Sequence, residues 1–132
     1  MHPGPSTHLR LARPTRELTA AERFWTQGLG LHVLWRSDPA DDDHQLLALG
    51  WPTAPWHLEL VHDPAVVPAP TQEDLLVLYL DGGDPAATVA QLERVGGVRV
   101  PSRNPYWDQH GTTVQDPDGY RLVLSRRSWS PD

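Results

Sequence analysis

Cysteine is absent from the 132 residues, which excludes disulfides, thiolate metal sites and a cysteine nucleophile. Lysine is absent as well: all 11 cationic side chains are arginines, so Schiff-base chemistry and a lysine-bearing phosphate loop are excluded. No apolar run approaches the roughly 18 residues that a membrane helix requires. The opening Met-His-Pro-Gly-Pro-Ser-Thr has no basic stretch followed by an apolar one, so no leader is expected. These absences point to a cytoplasmic protein with no membrane partner. Positive charge is in deficit too. A formal net charge of -6 without a large arginine patch does not suit a nucleic-acid partner. Gly82-Gly83 is a turn ahead of a helix and not a phosphate loop, and no Gly-x-Ser-x-Gly elbow occurs.

What is present suffices for one domain, and a chain of this length buries about two thirds of its unfolded surface. The plainest local signal is residues 111–124. A short strand (112–115) meets Asp116-Pro117-Asp118-Gly119, and residues 120–124 return as a second strand. Pro117 presets φ in this turn, Asp116 can bond its amides, and Gly119 takes the positive φ that closes it. Asp116 and Asp118 therefore belong to the turn rather than to an acid/base pair.

Earlier in the chain, residues 9–13 read as a strand stopped by Pro14. Residues 18–28 carry a helical period through Leu18, Ala21, Phe24 and Trp25, with Thr15 or Thr19 as the cap. Strands follow at 31–36, 44–49 and 56–62, the first two joined by a turn at 38–43 holding four aspartates. After a proline-rich stretch the plan repeats: strand 75–80, helix 85–95, strand 98–100, then the hairpin. Laying residues 18–33 on 85–100 without gaps matches Gly30 with Gly97 and Val33 with Val100. The expected organisation is a tail (1–8), a first βαβββ module (9–62), a Pro-rich linker (63–74), a second βαβββ module (75–126) and a tail (127–132). This is an α+β fold of two curved mixed sheets around a cavity.

The hairpin with its Asp-Pro-Asp-Gly turn, the repeat, and Leu18…Phe24-Trp25…Gly28-Leu29-Gly30-Leu31 together resemble the vicinal-oxygen-chelate superfamily, which includes glyoxalase I, extradiol dioxygenases and bleomycin-resistance proteins. The nearest likeness is to small members with an Asn-Pro-Tyr-Trp-Asp loop, here residues 104–108. In metal-dependent members one His, Gln or Glu from each of the first, fourth, fifth and eighth strands holds a divalent ion. The resemblance maps these positions onto Arg10, Glu59, Leu75 and Val123. A guanidinium cannot bind a metal, and one competent ligand of four is too few.

The resemblance then implies a site without a cofactor, in which Arg10 pairs with Glu59 where the ion would sit. A register slip of two residues offers the alternative of one divalent metal ion on His8, His57 and Glu59, a two-histidine, one-carboxylate set. Tyr106, Trp107 and His110 lie in a loop that in this superfamily covers the cavity mouth, suited to stacking on a planar ligand. His57, Tyr79 and Arg121 complete the candidate ligand-binding set with Arg10 and Glu59. The expected function is metal-independent sequestration of a small molecule, such as a planar or cationic antibiotic, by a homodimer. The alternative is a glyoxalase-like lyase or isomerase, or a dioxygenase, using a metal or using Glu59 as the catalytic base.

Overall fold

The computed structural model describes residues 2–38 and 44–131; apart from Asp38, the expected acidic turn lies outside them. Strands β1 (Leu9–Pro14), β2 (His32–Arg36), β3 (Gln45–Gly50) and β4 (Trp56–His62) form one sheet in the order β1-β4-β3-β2. Strands β5 (Leu75–Tyr79), β6 (Val98–Val100), β7 (Gly111–Gln115) and β8 (Arg121–Ser125) form a second in the order β5-β8-β7-β6. In each sheet the first strand runs parallel to the fourth and the other pairs are antiparallel. The two sheets therefore share one plan, the α+β arrangement of two βαβββ modules that the sequence repeat announces.

Helix α1 (Leu18–Arg23) starts at Glu17, whose carboxylate accepts from the Ala20 amide at 3.0 Å. The expected threonine caps are not used. Thr15 is buried and donates instead to Asp118 at 2.6 Å, a contact from the other module that no local pattern reveals. The helix continues as a wider π-helical turn, Phe24–Gly28, in which Phe24 and Trp25 are both buried with rings 4.9 Å apart, edge to face.

Helix α2 (Ala86–Arg94) packs against this turn, and a Cβ on Gly28 would stand 2.7 Å from Leu92 Cδ2 and 2.9 Å from Val95 Cγ2. Glycine lets the two helical segments meet at that depth. The expected loop at 104–110 is in part a helix, α3 (Pro105–His110). Asn104 accepts from the Tyr106 amide at 3.0 Å and Pro105 occupies the first turn, a capping pattern the aromatic residues drew attention away from.

Strand alternation decides what each face does. Leu47, Leu49, Leu58 and Leu60 from the first sheet and Val114, Leu122 and Leu124 from the second enter one core with Ala21, Phe24, Trp25, Val89 and Leu92. The alternate residues, Ala48, His57 and Glu59 on one sheet and Thr113, Val123 and Ser125 on the other, point away from it.

Polar contacts tie the modules at one end. Asp118 accepts from Thr15 and, at 2.9 Å, from the Arg16 amide, while Arg16 donates to the Pro68 carbonyl at 2.9 Å. The Arg13 guanidinium lies 4.6 Å over the Tyr120 ring. Among the described residues no helix is long and apolar enough to cross a membrane.

Candidate functional site

Parallel pairing of β1 with β4 sets Arg10 beside His57 and Ala12 beside Glu59. The outward side chains of two adjacent strands thus interleave, and four polar groups fall into a row. Arg10 Nη2 donates to Glu59 Oε2. The other carboxylate oxygen, Oε1, lies 3.4 Å from His57 Nε2, and His57 Nδ1 lies 2.7 Å from His8 Nε2. Exposure is graded: the Glu59 side chain is 8% exposed, that of His57 16% and that of Arg10 52%, while His8 is exposed.

The electrostatics follow from this order. The Arg10 hydrogen bond holds the Glu59 carboxyl below its ordinary value, with help from His57 and against the opposing pull of burial. The same bond and charge raise Arg10. Glu59 is therefore a firmly ionised carboxylate, and its basicity is reduced.

A metal ion does not fit the row. His57 turns one ring nitrogen to His8 and the other to Glu59, so the two nitrogens diverge and no single point is reached by His8, His57 and Glu59 together. The remaining carboxylate oxygen is taken by a guanidinium. Among the described residues no group of three or more His, Asp or Glu is placed to hold a metal ion. The cation bonded to Glu59 is the Arg10 guanidinium.

Around the row, a bulge in β2 pairs Val33 with Leu49 and Trp35 with Ala48, leaving Leu34 as an extra residue. Trp35 consequently joins the Glu59 face. Leu34 does so too, since a Cβ on Gly50 would meet Leu34 Cδ1 at 3.1 Å and His57 Cβ at 3.3 Å. These two apolar neighbours are invisible in the sequence, because nothing in His-Val-Leu-Trp-Arg marks the slip. The core-facing side of the same strands borders an apolar cleft of about 310 Å³ between β1 and β5, walled by Leu9, Leu11, Trp51, Trp56, Leu58, Leu76 and Leu78, so it lies across the sheet from the row. Trp51 and Trp56 meet edge to face at 5.6 Å.

The remaining candidates lie on the second module. Leu75 pairs with Arg121 and Val77 with Val123. Arg121 is buried and donates to the Pro101 carbonyl at 3.2 Å. Asp108 accepts from the Ser102 amide at 3.1 Å, and Ser102 and Thr113 share a hydroxyl hydrogen bond, so residues 101–110 close over this sheet's outward face. The Tyr106 ring is 5.1 Å from Trp107 and 4.8 Å from His110, with the Arg127 guanidinium 6.0 Å above it. Tyr79 ends β5, exposed. Within one chain, then, Arg10, His57, Glu59 and His8 are assembled, whereas Tyr79, Tyr106, Trp107, His110 and Arg121 belong to the other sheet.

Comparison with known proteins fits this anatomy. Residues 9–61 match the YycE-like N-terminal domain and residues 73–126 the YycE-like C-terminal domain. The uncharacterized protein YycE of Bacillus subtilis (strain 168) is 34% identical over 122 residues, covering 90% of this chain and 87% of that protein. The crystal structure of a B. subtilis YycE protein superposes with a TM-score of 0.85 at 32% identity, covering 96% and 93% of the two chains.

More distant structures share the fold. The fosfomycin resistance protein FosX of Mesorhizobium loti has a TM-score of 0.72 at 13% identity, covering 97% of this chain and 94% of its own. TnmS3, an antibiotic binding protein of Streptomyces sp. CB03234, has 0.62 at 23%, covering 94% and 98%. Both modules matched in order, and a relative one third identical along nine tenths of the sequence, place this chain in the YycE-like family of the vicinal-oxygen-chelate superfamily.

Proposed function

We propose that the protein binds a small organic molecule over the outward face of its first sheet without a metal ion. The observation that carries this reading is the Arg10 guanidinium on Glu59: a fixed protein cation neutralises the carboxylate that a metal would otherwise hold. On the same face, Leu34 and Trp35 offer an apolar wall for a planar body beside His57. Sequestration of an antibiotic or another planar compound fits best, in keeping with the antibiotic binding described for TnmS3 and the resistance described for FosX.

Each sheet's outward face turns away from the shared core, so the second module's Tyr79 and Tyr106 reach a ligand on Glu59 only if a second copy supplies them. A homodimer that joins the first module of one chain to the second module of its partner supplies that closure.

The test is the metal content of protein purified without chelators, followed by calorimetric titration with Mn²⁺, Fe²⁺, Ni²⁺ and Zn²⁺. Binding weaker than about 100 µM is the expected result, and tryptophan fluorescence then reports a screen of planar ligands. Stoichiometric metal that is lost in Glu59→Ala overturns the reading. An enzymatic role is the second reading, and the hydrogen-bonded row from Glu59 to His8 is what favours it.

A further inference from the structure

We infer that His8 is the proton-accepting group of this site, aligned for that task by His57 and Glu59. The inference rests on the reading of the Arg10–Glu59 face as the ligand site and goes beyond it by naming the group that exchanges a proton and the class of ligand it serves. Glu59 is the carboxylate expected to act as base, but Arg10 covers one of its oxygens and lowers its basicity. A base that is firmly ionised and already bonded to a cation accepts a proton poorly.

The same bond gives Glu59 a different use. An ionised carboxylate only accepts hydrogen bonds, so the His57 nitrogen facing it, Nε2, carries the proton. In its neutral form His57 is then left with a lone pair on Nδ1. That lone pair faces His8 Nε2 at 2.7 Å, which fixes the next proton as well: His8 carries its own on Nε2 and presents a bare Nδ1. His8 is exposed, and among the described residues its Nδ1 has no hydrogen-bond partner. The row therefore sets the tautomer of an accessible imidazole from a buried carboxylate two residues away in the chain of contacts. A histidine oriented by a second polar group, itself held by a third, is the arrangement general-base catalysis uses.

The step balances without any further reactant. A ligand bearing a weakly acidic X–H group, whether hydroxyl, thiol or activated carbon, gives its proton to His8 Nδ1. His8 passes its Nε2 proton to His57 Nδ1, and the resulting imidazolium lies against ionised Glu59. The ligand is left as X⁻ at the exposed end of the row, and the positive charge moves inward to an imidazolium that ionised Glu59 stabilises. Leu34 and Trp35 supply the apolar surroundings on the same face. The ligand class is thus a compact, largely apolar molecule with one weakly acidic proton.

Two measurements on ligand-free protein test this. Long-range ¹⁵N–¹H correlation spectra of the imidazoles are expected to show the proton of His8 and that of His57 on Nε2. Diethylpyrocarbonate, which acylates an unprotonated imidazole nitrogen and releases carbon dioxide and ethanol, is the chemical probe. Peptide mass spectrometry should find His8 modified about threefold or more faster than the exposed His2 and His32. In His57→Gln that advantage should vanish while the rates at His2 and His32 stay fixed. A proton on His8 Nδ1, or a His8 rate equal to that of His2 in the unaltered protein, overturns the inference. Both readouts work on chelator-treated protein, so a metal found by calorimetry would overturn the proposed function and leave the assignment of His8 separately decided.

Discussion

On the first sheet the outward face holds Arg10, His57 and Glu59 and stays half open, whereas on the second the equivalent face is sealed by the chain's own residues 101–110. The strand order, the parallel outer pair and the helix position are the same in both. What differs is chemistry at matching positions. Glu59 in β4 corresponds to Val123 in β8, and Arg10 in β1 to Leu75 in β5. The comparison teaches that a duplicated module can divide labour, one copy keeping a charged pair near water and the other giving its face to packing. The buried carboxylates show the same division. Glu59 is held ionised by a cation, while Asp116, in the β7–β8 turn, is pushed up to about 6 by burial.

The largest effect should come from making the two faces alike. Val123→Glu places a carboxylate on a fully buried outward position paired with Val77, where Arg121 on the same face is already engaged by the Pro101 carbonyl, and a buried charge without its own partner costs about 3 to 5 kcal/mol. Urea unfolding measures this, and a loss under about 1 kcal/mol would show that the second face is wetter than its contacts imply.

A smaller effect concerns Asp116. Its folded value lies above the unfolded 3.8, so the folded state binds the proton more tightly. The stability it contributes is complete below the unfolded value and is lost as pH rises through about 6. Between pH 5 and pH 7.5 the loss should be about 1 kcal/mol. Asp116→Asn, which can still accept from the Asp118 and Tyr120 amides at Oδ1, should flatten that slope. A pH profile unchanged in the variant would assign the titration elsewhere.

The smallest change in stability is expected from Arg10→Leu, because Arg10 is half exposed and the carboxylate it leaves keeps His57 as a partner. Its signature is electrostatic. Glu59 has a lowered folded value, so its stabilisation is present above the unfolded value and lost as pH falls through the folded one. Without Arg10 the Glu59 carboxyl should titrate higher in a ¹³C-detected NMR titration. A value that does not move would mean that His57 alone holds the carboxylate.

Much of this could be read from the residues. The turn at 116–119, the helical period through Phe24 and Trp25, and the gapless match of the two halves are local patterns, fixed by backbone geometry and by which face each side chain must bury. The Arg10 and Glu59 pairing also follows from strand alternation once the two strands are known to be neighbours. The helix at 105–110 was legible in Asn104-Pro105, though its aromatic content suggested a lid before a cap.

Other features depend on contacts between residues far apart in the chain. Whether Thr15 caps α1 or bonds Asp118 is a competition that distance along the chain does not decide, and the buried tertiary partner prevails. The β2 bulge turns Leu34 toward the site although no residue type marks it. The sequence by itself determined two modules of the same plan and the residues that alternate on each strand, Arg10 and Glu59 among them. Only the tertiary structure decided that the helices meet through Gly28, that one outward face is plugged and the other open, and that His8 and His57 join Glu59 in a row. Register and burial are cooperative properties, set when the sheets pack, and no single stretch of chain encodes them alone.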